Sequence, residues 1–261
     1  MANPRSWVSM VDGETQGRSS PNAWFATTHW SVVLAARDGQ GPAGRQALET
    51  LCRTYWCPLY AYARRCGHGP RDAEDLTQGF LTKLIEKDLV QAADRRRGRF
   101  RSFLLTSLKN FMADQRDRAK ARRRGGLAHV VPLDVESAEN RYHIEPVDDW
   151  TADKVFEHQW AVTVLETVFE RLRSQYEAEG KSLLFEKAKA SLTQPGSAVP
   201  YADLAAGLNM TEGAARVAVH RLRRRYRDLL RQEISHTVTD PGEVDDEIRQ
   251  LFAALEVRGK M

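Results

Sequence analysis

The chain has no apolar run near the roughly eighteen residues that a membrane-spanning helix needs, and its first residues lack the continuous apolar core of a secretory signal. Both absences lead to the expectation of a cytoplasmic protein without membrane contact. Cysteine is scarce. Cys52, Cys57 and Cys66 are odd in number, form no CxxC pair, and have only His68 nearby at a poor zinc spacing. A disulfide framework and a metal centre are therefore not expected, and the three read as buried reduced thiols. HExxH, GxSxG, P-loop and GxGxxG patterns are missing, and His29, His68, His129, His143, His158, His220 and His236 share no ligand spacing. Neither an enzyme nor a cofactor is expected. Alternating β-type runs and solenoid-type repeats are also lacking, which leaves an all-α protein.

What the chain does have is segregated charge. The net charge of +4 is mild, yet residues 95–124 carry twelve Lys or Arg against Asp114 and Asp117, a net of +10. Residues 216–231 carry seven Arg against Asp228, a net of +6, so the remainder stands at −12. Two basic islands in an otherwise acidic chain are the footprint of nucleic-acid contact at two places.

The length of 261 residues allows about two domains. Composition predicts disorder over residues 1–20, followed by a short Trp-rich helix over 22–37 that completes an extension over 1–43. Helical periodicity then predicts helices over about 44–66, 70–91 and 98–122, joined by short turns into a bundle. Leu48, Leu51, Tyr55, Leu59 and Tyr62 form the core face of the first, Leu76, Phe80 and Leu84 of the second, and Phe100, Phe103, Leu104, Leu108 and Phe111 of the third. Periodicity fades over 125–150, where Pro132, Pro146 and several acids mark a flexible linker. A second helical domain over 151–235 follows, with Thr151 as a cap and a helix near 181–192. An acidic tail over 236–261 contains an amphipathic segment carrying Val244, Ile248, Leu251 and Phe252.

The stretch from Tyr201 to Arg231 reads as two helices across a tight turn. Pro200 starts the first, and Leu204, Ala205 and Leu208 recur at helical spacing. Asn209 tolerates the left-handed conformation a turn requires, and Thr211 caps the second helix. Ala215, Val219, Leu222, Tyr226 and Leu229 make one buried stripe. In a helix-turn-helix the N-terminal half of the second helix enters the major groove, so Arg216, Val217, His220 and Arg221 are candidate base readers. Arg223, Arg224, Arg225, Arg227 and Arg231 read as phosphate anchors or solvated charge. A basic helix lying on an anionic membrane fits less well, because the preceding turn and short helix match the helix-turn-helix plan.

Two blocks carry a family resemblance. One holds Asp72-Ala73-Glu74-Asp75-Leu76-Thr77-Gln78 and Phe80, then Arg99-Phe100-Arg101-Ser102-Phe103-Leu104 and the spaced Asn110, Asp114 and Arg118. The other is the two-helix stretch above. Together they resemble an extracytoplasmic-function sigma factor of bacterial RNA polymerase, with residues 44–124 similar to region two and 151–235 to region four. The resemblance implies that Asp72, Asp75 and Gln78 contact the clamp of the polymerase's largest subunit. It implies that Arg99, Asn110, Asp114, Arg116 and Arg118 contact the promoter's minus-ten element, and that Arg216, Val217, His220, Arg221 and Arg224 contact the minus-thirty-five element. Region four would also meet the polymerase flap, and an anti-sigma protein is a further implied partner. The chain departs from the pattern at Gly79, where relatives commonly carry an acid, and at Phe103, where many carry Trp. A tether of about 24 residues can span roughly 80 Å, enough for two heads to reach separated elements. The alternative is a helix-turn-helix regulator that acts without docking on polymerase; it explains the C-terminal block but not the first one.

Overall fold

The computed structural model describes residues 30–37, 41–86, 89–94, 98–121, 150–193, 200–238 and 240–256. The expected extension before Trp30 and the expected linker up to residue 149 lie outside them. Every regular element among the described residues is helical. In chain order they are α1 (Trp30–Arg37), α2 (Pro42–Arg65), α3 (Pro70–Glu86), α4 (Phe100–Ala121), α5 (Ala152–Ala178), α6 (Ser182–Ala188), α7 (Ala190–Thr193), α8 (Tyr201–Gly207), α9 (Glu212–Ser235) and α10 (Val244–Leu255). Short 3-10 turns at Leu89–Ala92 and Pro241–Glu243 precede α4 and α10. No helix among the described residues is long and apolar enough to cross a membrane.

These described residues divide into two compact units, one made of 26–163 with 234–256 and the other of 164–233. In the first, α1 packs on α2, α2 on α3 and α3 on α4. Pro42 opens α2, where its missing N–H is not needed. Tyr55 lies edge-on to Phe100 at 5.7 Å and stacks with Phe156 at 6.5 Å, while Phe80 meets Phe111 at 5.8 Å. These aromatic contacts join the anticipated core faces of the three helices, on which Leu48, Leu76 and Phe103 are only half-buried and the other named residues are buried. Periodicity carried the second helix to residue 91, but α3 stops at Glu86. Val90 is buried from the 3-10 turn instead, packed against α1 and α3, so tertiary burial outweighs helical continuity.

The cysteines are free. Cys52 is buried, and desolvation first, with the Glu49 carboxylate second, pushes its thiol up to about 12, which keeps it protonated and unreactive at neutral pH. Cys57 and Cys66 are only half-buried, less than the sequence suggests.

The acidic tail is a folded part of this first unit. Val238, Val244 and Leu251 are buried, and His158 of α5 places Nδ1 2.9 Å from the Ala254 carbonyl at the far end of α10. Burial holds the His158 pKa below its ordinary value, against the hydrogen bond to Ala254, so the ring is neutral and Nδ1–H donates. Phe252, expected on the apolar side of α10, is half exposed; Glu247 occupies that side.

In the second unit Phe185 of α6 lies 5.1 Å from Phe169 and 5.9 Å from Tyr176, both on α5, and α6 packs on α8. The turn between α8 and α9 has the expected chemistry. Asn209 adopts φ 52, the one described non-glycine residue at positive φ. Around it the Met210 N–H donates to the Ala205 carbonyl at 3.0 Å, closing the end of α8. Thr211 Oγ1 accepts from the Ala214 N–H at 3.2 Å, capping α9. Replacing Asn209 by Val should lower stability by about 1–2 kcal/mol, because a β-branched side chain clashes in the left-handed region, whereas Asn209→Gly should be nearly neutral. Urea titration of both variants checks this; equal losses would contradict it.

Candidate nucleic-acid interface

Helix α4 carries the first basic island. Asn110 and Asp114 are exposed one turn apart, and Arg118 follows at the next turn of the same face. Arg116 is also exposed; the Arg118 side chain lies outside the described residues, as do residues 95–97 and 122–124. Several of the charges have protein partners. Asp114 is 3.7 Å from Lys83 of α3, and Lys109 pairs with Asp153 of α5 at 2.8 Å. The described part of the island is therefore less positive than a count of its residues implies.

That quenching is strongest at the start of the helix. Arg101 is 4 % exposed, where burial works against its charge; the Glu157 and Glu247 carboxylates overcome that and hold its pKa above the ordinary value. Its Nε bonds Glu157 Oε2 at 2.8 Å, Nη1 pairs with Glu247 Oε1, and its guanidinium lies 4.0 Å over the Trp160 ring. Arg99, just outside α4, turns Nε to Glu247 Oε2 at 2.7 Å and donates from Nη1 to Gln250 Oε1. Two cations and two carboxylates cancel, and Glu247 is fully buried between the arginines. This cluster was not expected from the sequence. Its signal was present, because Glu247 falls at i+3 between Val244 and Leu251 on the apolar stripe of α10, where a lone acid needs a buried partner.

Helix α3 opens with its acids in place. Asp72 and Asp75 are exposed, with Asp72 in the first turn, where it suits the helix dipole. Gln78 is different: it is 8 % exposed and its Nε2 donates to Glu74 Oε1 at 3.1 Å. Gly79 sits beside Phe111 of α4, whose ring would lie 3.4 Å from an added Cβ. A side chain there is in contact with the core from its first carbon.

Helix α9 sorts its arginines by angle. At 100° per residue, Ala215, Val219, Leu222 and Leu229 form one arc and are buried as expected, whereas Tyr226, expected on the same stripe, is only half-buried. Arg216, Val217, His220, Arg221, Arg224 and Arg227 share the opposite arc and are exposed. Arg223 and Arg225 lie at the two borders and turn back onto the fold. Arg223 donates twice to the Ser191 carbonyl, at 3.1 and 3.0 Å, and Arg225 pairs with Glu179 at 2.6 Å and stacks 5.2 Å over Tyr176. These two hold α9 against α5 and α7 rather than standing out as phosphate anchors. On the exposed arc, Arg216 is steadied by Glu212 at 2.7 Å and by the Tyr201 ring at 5.1 Å, and Arg224 lies 3.9 Å from Asp228.

Residues 51–123, from α2 through α4, match the family model for Sigma-70 region 2. The match supports a sigma-70 family member with a role in transcription initiation, and such a region implies binding to core RNA polymerase and promoter DNA. No curated protein and no solved structure matches the chain.

The buried and exposed ion pairs should respond differently to truncation. Glu247→Ala leaves buried Arg101 with Glu157 alone and should cost about 3–5 kcal/mol, whereas Glu212→Ala at exposed Arg216 should cost less than about 1 kcal/mol. Denaturant unfolding of the two variants measures the contrast, and similar small losses would contradict it.

Proposed function

We propose that the chain is a sigma factor of the extracytoplasmic-function type, which binds core RNA polymerase and directs initiation at promoters with two recognition elements. The observation that carries this reading is the region 2 match over α2–α4, the helices that bear the exposed aspartates and the first basic island. In this reading Asp72 and Asp75, acids on one exposed helix start, dock on a basic surface of the polymerase clamp. Buried Gln78 orients Glu74 beside them rather than reaching the partner itself. Asn110, Asp114, Arg116 and Arg118 of α4 meet the opened minus-ten element, where cations and hydrogen-bonding side chains hold separated strands. Arg99 contributes from the edge of the same helix.

Helix α9 reads the minus-thirty-five element. Its exposed arc is long enough to divide labour: Arg216, Val217, His220 and Arg221 near the N-terminus face base edges, and Arg224 and Arg227 follow toward phosphate. The location is cytoplasmic, and the chain uses no cofactor and catalyses no reaction itself. The burial of Gln78 and the cancelled charge around Arg99 favour a second reading, a helix-turn-helix regulator acting without polymerase.

Two measurements test the reading. Immobilised chain should retain core RNA polymerase, and Asp72→Ala with Asp75→Ala should reduce retention without changing the thermal melting temperature; unchanged retention favours the regulator. Arg221→Ala should weaken binding to the cognate upstream element by about 1–3 kcal/mol with little loss on scrambled DNA, as expected when a bidentate guanine contact disappears. Equal losses on both sequences would reduce Arg221 to a phosphate contact.

A further inference from the structure

Arg99 is the described arginine of the first island whose side chain is both partly exposed and held on two sides. Its carbonyl accepts the N–H groups of Ser102 and Phe103, each at 3.2 Å, so the backbone is fixed by the first turn of α4. The side chain itself would otherwise sample many rotamers. Instead Nε rests 2.7 Å from Glu247 Oε2 and Nη1 donates to Gln250 Oε1, both partners on one face of α10, while 31 % of the side chain remains exposed.

We propose that Glu247 and Gln250 are positioning residues, holding the Arg99 guanidinium in the orientation in which it meets the phosphodiester backbone of nucleic acid. The C-terminal helix is then a working part of the first nucleic-acid reader. This rests on the reading that the α4 island contacts nucleic acid. The physical reason is preorganisation: an arginine immobilised beforehand loses less freedom on binding than one recruited from solvent, and its planar fork keeps a fixed aim.

The opposite role, an acidic helix that masks Arg99 until displaced, fits the burial poorly. Glu247 is fully buried, and its second oxygen neutralises Arg101, which also holds Glu157 and covers Trp160. Pulling α10 away would strand Arg101 with half its counter-charge and expose Val244 and Leu251 to water. A releasable latch is made of surface contacts; this one runs through the core.

Glu247 variants risk unfolding, so the test uses Gln250, which is exposed. Full-length chain is titrated with a labelled single-stranded oligonucleotide at several salt concentrations, as wild type, Gln250→Ala, Arg99→Ala and the double variant. Gln250→Ala should weaken binding about threefold, with an unchanged salt slope and melting temperature, because it removes aim and not charge. Arg99→Ala should weaken it further and lower the slope by about 0.7, the value for one phosphate contact on a single strand. Added to Arg99→Ala, Gln250→Ala should have no effect. Independent effects of the two substitutions overturn the inference, as does tighter binding by Gln250→Ala, which would identify a mask. Retention of core RNA polymerase by the wild-type chain is scored in parallel. Retention with independent effects overturns the positioning role alone; coupled effects without retention support that role and overturn the sigma reading.

Discussion

A single carboxylate, Glu247, fixes how the first unit is put together. It is the fully buried counter-charge of Arg101 and Arg99, and through Arg101 it joins α10 to α4, to Glu157 on α5 and to the Trp160 ring. A charge cannot be left alone in such a place, so each member of the cluster requires the others. The pairing does not have to add net stability to matter. The docked α10 satisfies both arginines at once and places Val244 and Leu251 in the core. The bundle over 51–123 that matches Sigma-70 region 2 is thereby completed by residues far along the chain.

The second unit shows the same economy on the surface of α9. Arginine is used there for two jobs that sequence position alone does not separate. Border residues Arg223 and Arg225 spend their donors on Ser191 and Glu179 and set the helix in place, while the arginines on the far arc are exposed. A guanidinium suits both jobs because it stacks, forks and stays charged. Local counter-charges such as Glu212 beside Arg216 order the exposed set without removing it from solvent.

Features that depend on neighbours in sequence are legible in the sequence itself. Asn209 at positive φ, the Thr211 cap and the buried stripe of α9 follow from local sterics and helical period. Features that depend on distant partners were not. Gln78 has a side chain suited to a docking contact, and only the packing of α3 shows it turned to Glu74. Arg101 counts toward a basic island in the sequence yet has no surface to offer, because its partners lie 56 and 146 residues away. The tail reads as an acidic amphipathic segment, and only the fold shows Glu247 sharing the buried stripe with Val244 and Leu251. Alpha-helical class was easy for the same reason that the site was hard: periodicity is local, and charge neutralisation is not.

The account stands on the claim that this chain gives promoter choice to a polymerase that lacks it. Run-off transcription by core RNA polymerase on a library of promoter sequences, with and without the full-length chain, tests that most directly. The account predicts discrete transcripts from a small set of templates sharing two short elements, present only when the chain is added. Identical transcript patterns in both arms would contradict it.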